Sequence, residues 1–179
     1  MMKVFLLLVL LVCLSTPGHA QKLTDEESKL YRLIMDYRKQ HNLPSIPVSV
    51  NLTIVAQTHA KDLQENFRFG SSCNLHSWSS KGKWTPVCYT GSSEAAGMWR
   101  KPSELTGYKA DGFEIAHGGV DGYVATAERA FNGWKGSAGH EAVMANKRNW
   151  ADTKWKAIGI GIYGGFATVW FGTEEDKAK

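Results

Sequence analysis

The stretch AIGIGIYGGFATVWFG, residues 157–172, has the pattern of two β-strands joined by a tight turn. Isoleucine alternates with glycine up to Ile162, and Gly164 and Gly165 then separate this run from a second apolar run. Two such runs joined by two glycines are typical of a β-hairpin. The second run is apolar on both faces, so we expect packed layers on both sides of the sheet. Glycines at alternate positions of the first run leave room for close approach, most simply by a helix.

Helical patterns upstream of the hairpin predict those packed layers. Thr24 to Glu27 has the form of a capping box with Thr24 as N-cap, and apolar residues at helical spacing extend this helix to about Gln40. Asn51 is expected to cap a second helix and Asp121 a third. Shorter elements are expected over three ranges: a helix near 94–99, a strand at 113–117 and a helix from 139 to about 145. The pattern predicts an α+β fold, a three-layer α–β–α sandwich around a small, mainly antiparallel central sheet.

The first twenty residues have the order of a cleaved secretory signal. Lys3 precedes an aliphatic run over 4–14, and small residues stand at positions 18 and 20. The run is too short to span a bilayer comfortably, and no later segment is long and apolar enough to be transmembrane. We therefore expect a secreted, extracellular chain with one domain over residues 21–172 and a polar, frayed tail over 173–179.

Charge argues against nucleic acid as a partner. The formal net charge of +4 falls to +3 once Lys3 is removed with the signal, and the remaining charges are scattered. The small clusters at 147–148 and 154–156 are better explained as a solvated face than as a nucleic-acid surface.

Two cysteines, Cys73 and Cys88, remain after the signal is removed. In an oxidising compartment they are expected to pair, which stabilises the fold by about 3 kcal/mol on the loop-entropy account. A CxxC metal or redox motif is absent from the sequence. Asn51 opens the sequence Asn-Leu-Thr and is therefore a candidate N-glycosylation site.

Several segments together resemble the CAP superfamily of cysteine-rich secretory proteins, antigen 5 and plant pathogenesis-related proteins, whose domain is also called SCP. These segments are VNLTIVAQTHAKDL, NLHSW, GFEIA, AFNGWKGSAGHEAVMAN, and NWADTKWKAIGIGIYGG followed by VWFG. The resemblance covers about Leu23 to Gly172 and is strongest in SAGHEAVM; GFEIA matches the family's GEN segment less closely. It implies an α–β–α sandwich with a central cleft. In many members two histidines and two glutamates line that cleft, and the histidines can hold a divalent ion.

Transferred residue by residue, the resemblance assigns three residues to the cleft. NLHSW contributes His76, GFEIA contributes Glu114 and SAGHEA contributes His140. The position of the second glutamate, three residues after a tryptophan, is occupied by Ser137, so this chain departs from the tetrad. Glu141 is a poor substitute, because neighbours on a helix diverge by about 100°.

The chemistry of this set predicts at most a weak metal site. A structural zinc ion takes four protein ligands and a catalytic one takes three plus water. His76 and His140 alone therefore predict an open site for Zn²⁺ or another divalent cation, with Glu114 accepting an N–H from one imidazole. The alternative is that each histidine makes a structural hydrogen bond in a polar cleft. His59, on the apolar face of the second helix, is interpreted as a satisfied core histidine rather than a ligand.

The sequence favours a non-enzymatic binding or signalling module over an enzyme. The resemblance implies an extracellular protein, a lipid or a sterol as the partner and does not choose among them. The alternative is a metal-dependent or serine-type secreted hydrolase. Its nucleophile candidates, Ser77, Ser137 and Thr168, lie outside any GxSxG segment, and HEAVM lacks the second histidine of an HExxH helix.

Overall fold

A three-stranded antiparallel sheet forms the middle layer of the molecule, and the predicted hairpin supplies two of its strands. The computed structural model describes residues 22–178, so the predicted signal at residues 1–20 lies outside the described part. The strands are β1 Gly112–Gly118, β2 Ala157–Tyr163 and β3 Phe166–Gly172, and β3 lies between the other two. The β2–β3 turn consists of Gly164 and Gly165, as predicted, with Gly164 at a positive φ of 57°.

Within the described residues 22–178, six α-helices flank the sheet. Their bounds are α1 Asp25–Gln40, α2 Val50–Asn66, α3 Ala95–Trp99, α4 Lys101–Leu105, α5 Ala127–Lys135 and α6 Ala138–Met144, with short 3₁₀ turns at Ser92–Glu94 and Arg148–Trp150. Within residues 22–178 none of the helices combines the length and the apolar character needed to cross a bilayer.

The two faces of the sheet bury separate apolar cores, which confirms the predicted three layers. On one face Val169 and Phe171 pack with residues of α1, α5 and α6, including Ile34. On the other face Trp170 packs with residues of α2, including Val55. Alternate residues of β3 therefore belong to opposite cores, as expected for a central strand buried on both sides.

Helix α2 lies directly on the backbone of β2, as the alternating glycines predict. A methyl group at Gly159 would overlap the backbone of Leu52, and one at Gly161 would overlap the backbone of Ala56. Only hydrogen can occupy the side-chain position at these two points, because the helix backbone occupies the space of a Cβ atom.

The N-termini of two helices differ from the sequence prediction. Ser49, not Asn51, caps α2, because its hydroxyl accepts from the Leu52 N–H at 2.9 Å. Asp121 was expected to cap the third helix, but it adopts a positive φ of 55° in a turn. That helix, α5, begins six residues later and is capped by Thr126. In both cases a hydroxyl residue just before the helix takes the cap, while the predicted residue lies in the first turn or in the preceding loop.

The capping box of α1 forms as predicted and also contacts the sheet. Thr24 and Glu27 make both reciprocal hydrogen bonds of the box. Glu27 is only 1% exposed, and its Oε1 also accepts from the N–H of Ile162 at 3.0 Å. The side chain therefore satisfies a backbone N–H on the outer edge of β2, an edge that also pairs at Ile158 with the segment before α2.

The predicted disulfide forms, whereas the C-terminal tail does not fray as predicted. Cys73 and Cys88 form a disulfide with Cα atoms 4.9 Å apart, which confirms the pairing. The polar tail is tied down rather than frayed, because Asp176 accepts from the Ser49 hydroxyl at 2.6 Å and from the Asn51 amide at 2.8 Å. Glycosylation at Asn51 stays a prediction.

Candidate functional site

A buried carboxylate between two imidazoles forms the centre of the candidate site. Glu114 projects from β1 toward α2 and is 7% exposed. Its Oε1 contacts His59 Nδ1, and its Oε2 lies 2.9 Å from His76 Nδ1. Glu114 therefore orients an imidazole of the cleft, as the sequence predicts, but it also holds a second histidine from α2.

His59 is buried and satisfied, as predicted, and it is also part of the site. Its Nε2 lies 2.9 Å from the Ser77 carbonyl oxygen, and its ring stacks on Trp78 with centroids 4.2 Å apart. The sequence interpretation treated His59 as core alone and so missed its contact with Glu114. One available signal was that His59 lies on the apolar face of α2, the face that packs against the sheet.

Burial and the two histidines have opposite effects on the pKa of Glu114. Burial by itself would raise the pKa of Glu114, but the charge and hydrogen bonds of His59 and His76 lower it to about 2. Glu114 is therefore a carboxylate at any physiological pH. Because both of its oxygens already accept from imidazole nitrogens, it is a weak base and is poorly placed to take a proton from a substrate.

His140 faces His76 across the cleft from the start of α6. The two ring centroids lie 6.3 Å apart, and the side chain of His76 is 22% exposed. Burial lowers the pKa of His140, and the nearby His76 lowers it further, while the Glu114 carboxylate acts in the opposite direction. The His140 imidazole is therefore neutral near pH 7, which is the form that binds a metal ion.

The departure from the glutamate tetrad is visible in the geometry of α6. Ser137 is the N-cap residue of α6, and its side chain makes no capping hydrogen bond. Glu141 does not take the missing place, because its carboxylate accepts from the Tyr37 hydroxyl at 2.8 Å and pairs with Lys147. The cleft around His76 and His140 thus has one carboxylate, that of Glu114.

The donor set does not fit a structural zinc ion. In residues 22–178 no group of three or more His, Cys, Asp or Glu side chains is arranged to hold a metal. His76 uses Nδ1 on Glu114, which leaves its Nε2, together with the His140 ring, as the available donors. Two imidazoles with a supporting carboxylate fit a weakly held divalent ion whose remaining ligands are water.

Two of the three nucleophile candidates for a hydrolase, Ser77 and Thr168, are engaged elsewhere. The Ser77 hydroxyl accepts from the Tyr89 N–H at 2.8 Å, and the buried Thr168 hydroxyl donates to the Ala56 carbonyl at 3.0 Å. Across the described residues 22–178 no serine hydroxyl is hydrogen-bonded to His76 or His140. A Ser–His–acid relay is therefore not assembled in this part of the chain.

A small antiparallel sheet between helical layers, with a cleft where histidines meet a glutamate at the edge of the sheet, defines the class of CAP or SCP domains. Residues 31–171 match the Cysteine-rich secretory protein family, CAP. The match spans most of the sequence, so the chain belongs to this family. Among curated proteins, none matches the sequence.

Solved structures of three bacterial proteins share the fold. An extracellular protein containing an SCP domain from Bacillus anthracis superposes with a TM-score of 0.58 at 20% identity, over 86% of this chain and 45% of the other. An outer surface protein of Borrelia burgdorferi gives 0.58 at 20% identity, over 89% and 100%. A cysteine-rich secretory protein of Staphylococcus aureus gives 0.53 at 12% identity, over 84% and 38%. This chain thus spans less than half of two of these proteins, and identities this low show the fold alone.

Proposed function

We propose that this chain is a secreted CAP domain that acts as a non-enzymatic binding or signalling module through the cleft of His76, Glu114 and His140. The observation that carries the proposal is the saturation of Glu114, whose two oxygens both contact imidazole nitrogens. A hydrolase that used Glu114 as its general base would need a free lone pair on that carboxylate, and a serine-type hydrolase would need an activated nucleophile. The cleft instead presents two imidazole rings and a fixed negative charge, which suits recognition.

Secretion is supported by three observations of different kinds. The first twenty residues have the order of a signal sequence, and Cys73 and Cys88 are disulfide-bonded, which is typical of oxidising compartments. Two of the structural neighbours are described as an extracellular protein and an outer surface protein. The partners of the proposed module are an extracellular protein, a lipid or a sterol.

A divalent cation, Zn²⁺ in the first place, is proposed as a weakly bound ligand of the cleft. His76 and His140 would hold it, and Glu114 would orient His76 through Nδ1. Bound there, the ion would supply positive charge and open coordination positions for a partner. The neutral state of His140 near pH 7 favours this binding.

The alternative, a metal-dependent or serine-type hydrolase, draws on one observation. The hydrogen bond between Glu114 and His76 Nδ1 is the arrangement that orients a catalytic imidazole in many hydrolases. The hydrolase is the second choice, because in residues 22–178 no nucleophile is hydrogen-bonded to that imidazole.

Binding and turnover measured on one set of variants separate the two functions. Purified protein lacking residues 1–20 is tested for zinc binding by calorimetry, for extraction of lipids and sterols, and for hydrolysis of ester and peptide substrates. His76→Ala and His140→Ala are the cleft variants, and His41→Ala, which changes a histidine at the end of α1, is the matched control. We expect zinc binding that both cleft variants lose, with no turnover. The proposed binding module would be overturned by a different result: turnover that His41→Ala retains and that both cleft variants and a chelator abolish.

A further inference from the structure

Three exposed apolar side chains gather at the end of the molecule where the β2–β3 hairpin turns. Within residues 22–178 the exposed large apolar side chains are Val48, Phe69, Val124 and Tyr163. Phe69 follows α2, Val124 lies between β1 and α5, and Tyr163 ends β2. Phe69 and Val124 are each 56% exposed and Tyr163 is 46% exposed. We call these three side chains the hairpin-end patch.

The segments carrying the hairpin-end patch are held rigidly to one another. The Ala125 N–H donates to the Gly164 carbonyl at 3.0 Å, and the Gly165 N–H donates to Gln64 Oε1 at 2.6 Å. Between the segments lies a cavity of about 570 Å³, which Phe69 and Val124 line together with Arg68, Asp121 and four glycines. Charged residues and glycines therefore lie between Phe69 and Val124, which stand as separate projections.

A cationic residue lies beside each of the three residues of the hairpin-end patch. Lys61 Nζ lies 5.6 Å from the centroid of the Tyr163 ring, and Arg129 Nη1 donates to the Val124 carbonyl at 2.8 Å. Arg68 directly precedes Phe69 and lines the same cavity.

Carboxylates near the patch offset these cations only in part. Glu65 pairs with Lys61, and Asp121 lines the cavity. Three cations against two carboxylates leave the hairpin end with a net charge of +1.

We propose that the hairpin-end patch docks onto the surface of an anionic phospholipid bilayer. Separate aromatic and aliphatic projections enter the interfacial region, where aromatic rings are favoured, while the adjacent cations meet lipid phosphates. The patch uses none of the cleft residues His76, Glu114 and His140, so the proposal stands apart from the proposed function of the cleft.

Vesicle co-sedimentation tests the proposal. Purified protein lacking residues 1–20 is mixed with vesicles of phosphatidylcholine alone, or of phosphatidylcholine with an equal amount of phosphatidylserine. We expect binding to the anionic vesicles that weakens as salt is added, because exposed charges are screened. The triple variant Phe69→Ser, Val124→Ser and Tyr163→Ser should bind the anionic vesicles at least about tenfold more weakly, through the loss of apolar insertion.

The fourth exposed apolar side chain provides a matched control. Val48 precedes α2, whereas Phe69 follows it, and a helix of 17 residues is about 25 Å long, so Val48 lies at the other end of that helix. Val48→Ser should bind anionic vesicles like the wild type. Circular dichroism on each variant checks that the fold is retained, as expected for exposed positions.

The outcomes separate the proposal from its competitors. Absence of binding to anionic vesicles, or equal binding by the triple variant and Val48→Ser, would overturn it. A change of oligomeric state in the triple variant without any vesicle binding would assign the patch to a second copy of the chain, which also overturns it. His140→Ala should still bind vesicles, so failure of the cleft function leaves this test intact.

Discussion

At the scale of single residues, the two histidines on Glu114 differ in the atoms that their rings face. His59 directs Nδ1 at a carboxylate and Nε2 at the Ser77 carbonyl, and both of these groups only accept hydrogen bonds. Both nitrogens of His59 are therefore engaged by buried acceptors. His76 directs Nδ1 at Glu114, which leaves its Nε2 facing the cleft.

The buried contact between His59 and the Glu114 carboxylate predicts a non-additive effect on stability. His59→Leu should lower the free energy of unfolding by about 3–5 kcal/mol, because it leaves a buried carboxylate without its partner. Adding Glu114→Gln should cost less in the His59→Leu background than in the wild type, because the neutral amide removes the unpaired charge. Denaturant unfolding of the four proteins measures both effects. Strictly additive costs would contradict the coupling between the two side chains.

The serine at the second glutamate position predicts a gain in metal affinity. Ser137 lies three residues before His140 on the same helix, where side chains are neighbours. Ser137→Glu should strengthen zinc binding by about tenfold or more, because a carboxylate joins the two imidazoles as a third ligand. Ala138→Glu, which adds the same charge about 100° around the helix, is the control. Calorimetry showing equal affinities for Ser137→Glu and the wild type would contradict the position assigned to the missing glutamate.

At the scale of elements, the contact between α2 and β2 depends on the absence of a side chain. Gly161→Ala should destabilise the protein by about 3 kcal/mol or more, because the added methyl overlaps helix backbone that no rotamer change can move. Gly91→Ala is the control, since a methyl there meets nothing within 4 Å. Thermal unfolding of the two variants provides the comparison, and equal melting temperatures would contradict the close packing.

Glu27 links the α1 cap to the edge of β2, so we expect it to contribute far more to stability than Asp25, another acidic residue of the first turn. Glu27→Ala should cost about 3 kcal/mol, because the N–H groups of Thr24 and Ile162 lose a buried acceptor. Asp25→Ala removes an exposed charge of the same turn and should cost about 0.5 kcal/mol through the helix dipole alone. Urea unfolding measures both. Equal costs would show that the helix dipole, not the edge contact, explains the acidic first turn.

At the scale of the whole molecule, the C-terminal tail closes over the start of α2 and predicts a pH dependence. The Tyr108 hydroxyl donates to the Glu174 carbonyl at 2.6 Å, and burial raises the pKa of Tyr108 from 10.0 to about 12. The folded chain thus keeps a proton that the unfolded chain loses above pH 10. The stability from this proton is complete below pH 10 and falls as the pH rises toward 12.

Tyr108→Phe isolates this contribution. The variant should be less stable than the wild type at neutral pH, because it loses the hydrogen bonds to Glu174, and the difference should shrink above pH 10. Urea midpoints across this range measure the change, and Tyr89→Phe, at a half-buried tyrosine of the cleft region, is the control. A difference that stays constant with pH would contradict the buried phenol.

Much of the fold was predictable because its signals are local. The hairpin, the capping box of α1 and the disulfide each depend on residues close in sequence or on a count of cysteines, and all three are confirmed. The N-caps of α2 and α5, which were predicted wrongly, show the limit of local signals. Asn51 and Asp121 are both good cap residues, and the choice of Ser49 and Thr126 depends on where the chain turns to meet the sheet.

For the candidate site, the sequence by itself, through the resemblance of its motifs to the CAP family, determined that His76, Glu114 and His140 are cleft candidates and that Ser137 departs from the tetrad. Only the tertiary structure decided their partners. His59 and Glu114 lie 55 residues apart, and Glu141 is drawn to Tyr37 across 104 residues. Which polar atoms meet, and so which imidazole nitrogens and which carboxylates are engaged, depends on the packing of α2 and α1 against the other layers. No local pattern encodes those contacts, because they form only when the sheet brings distant segments together.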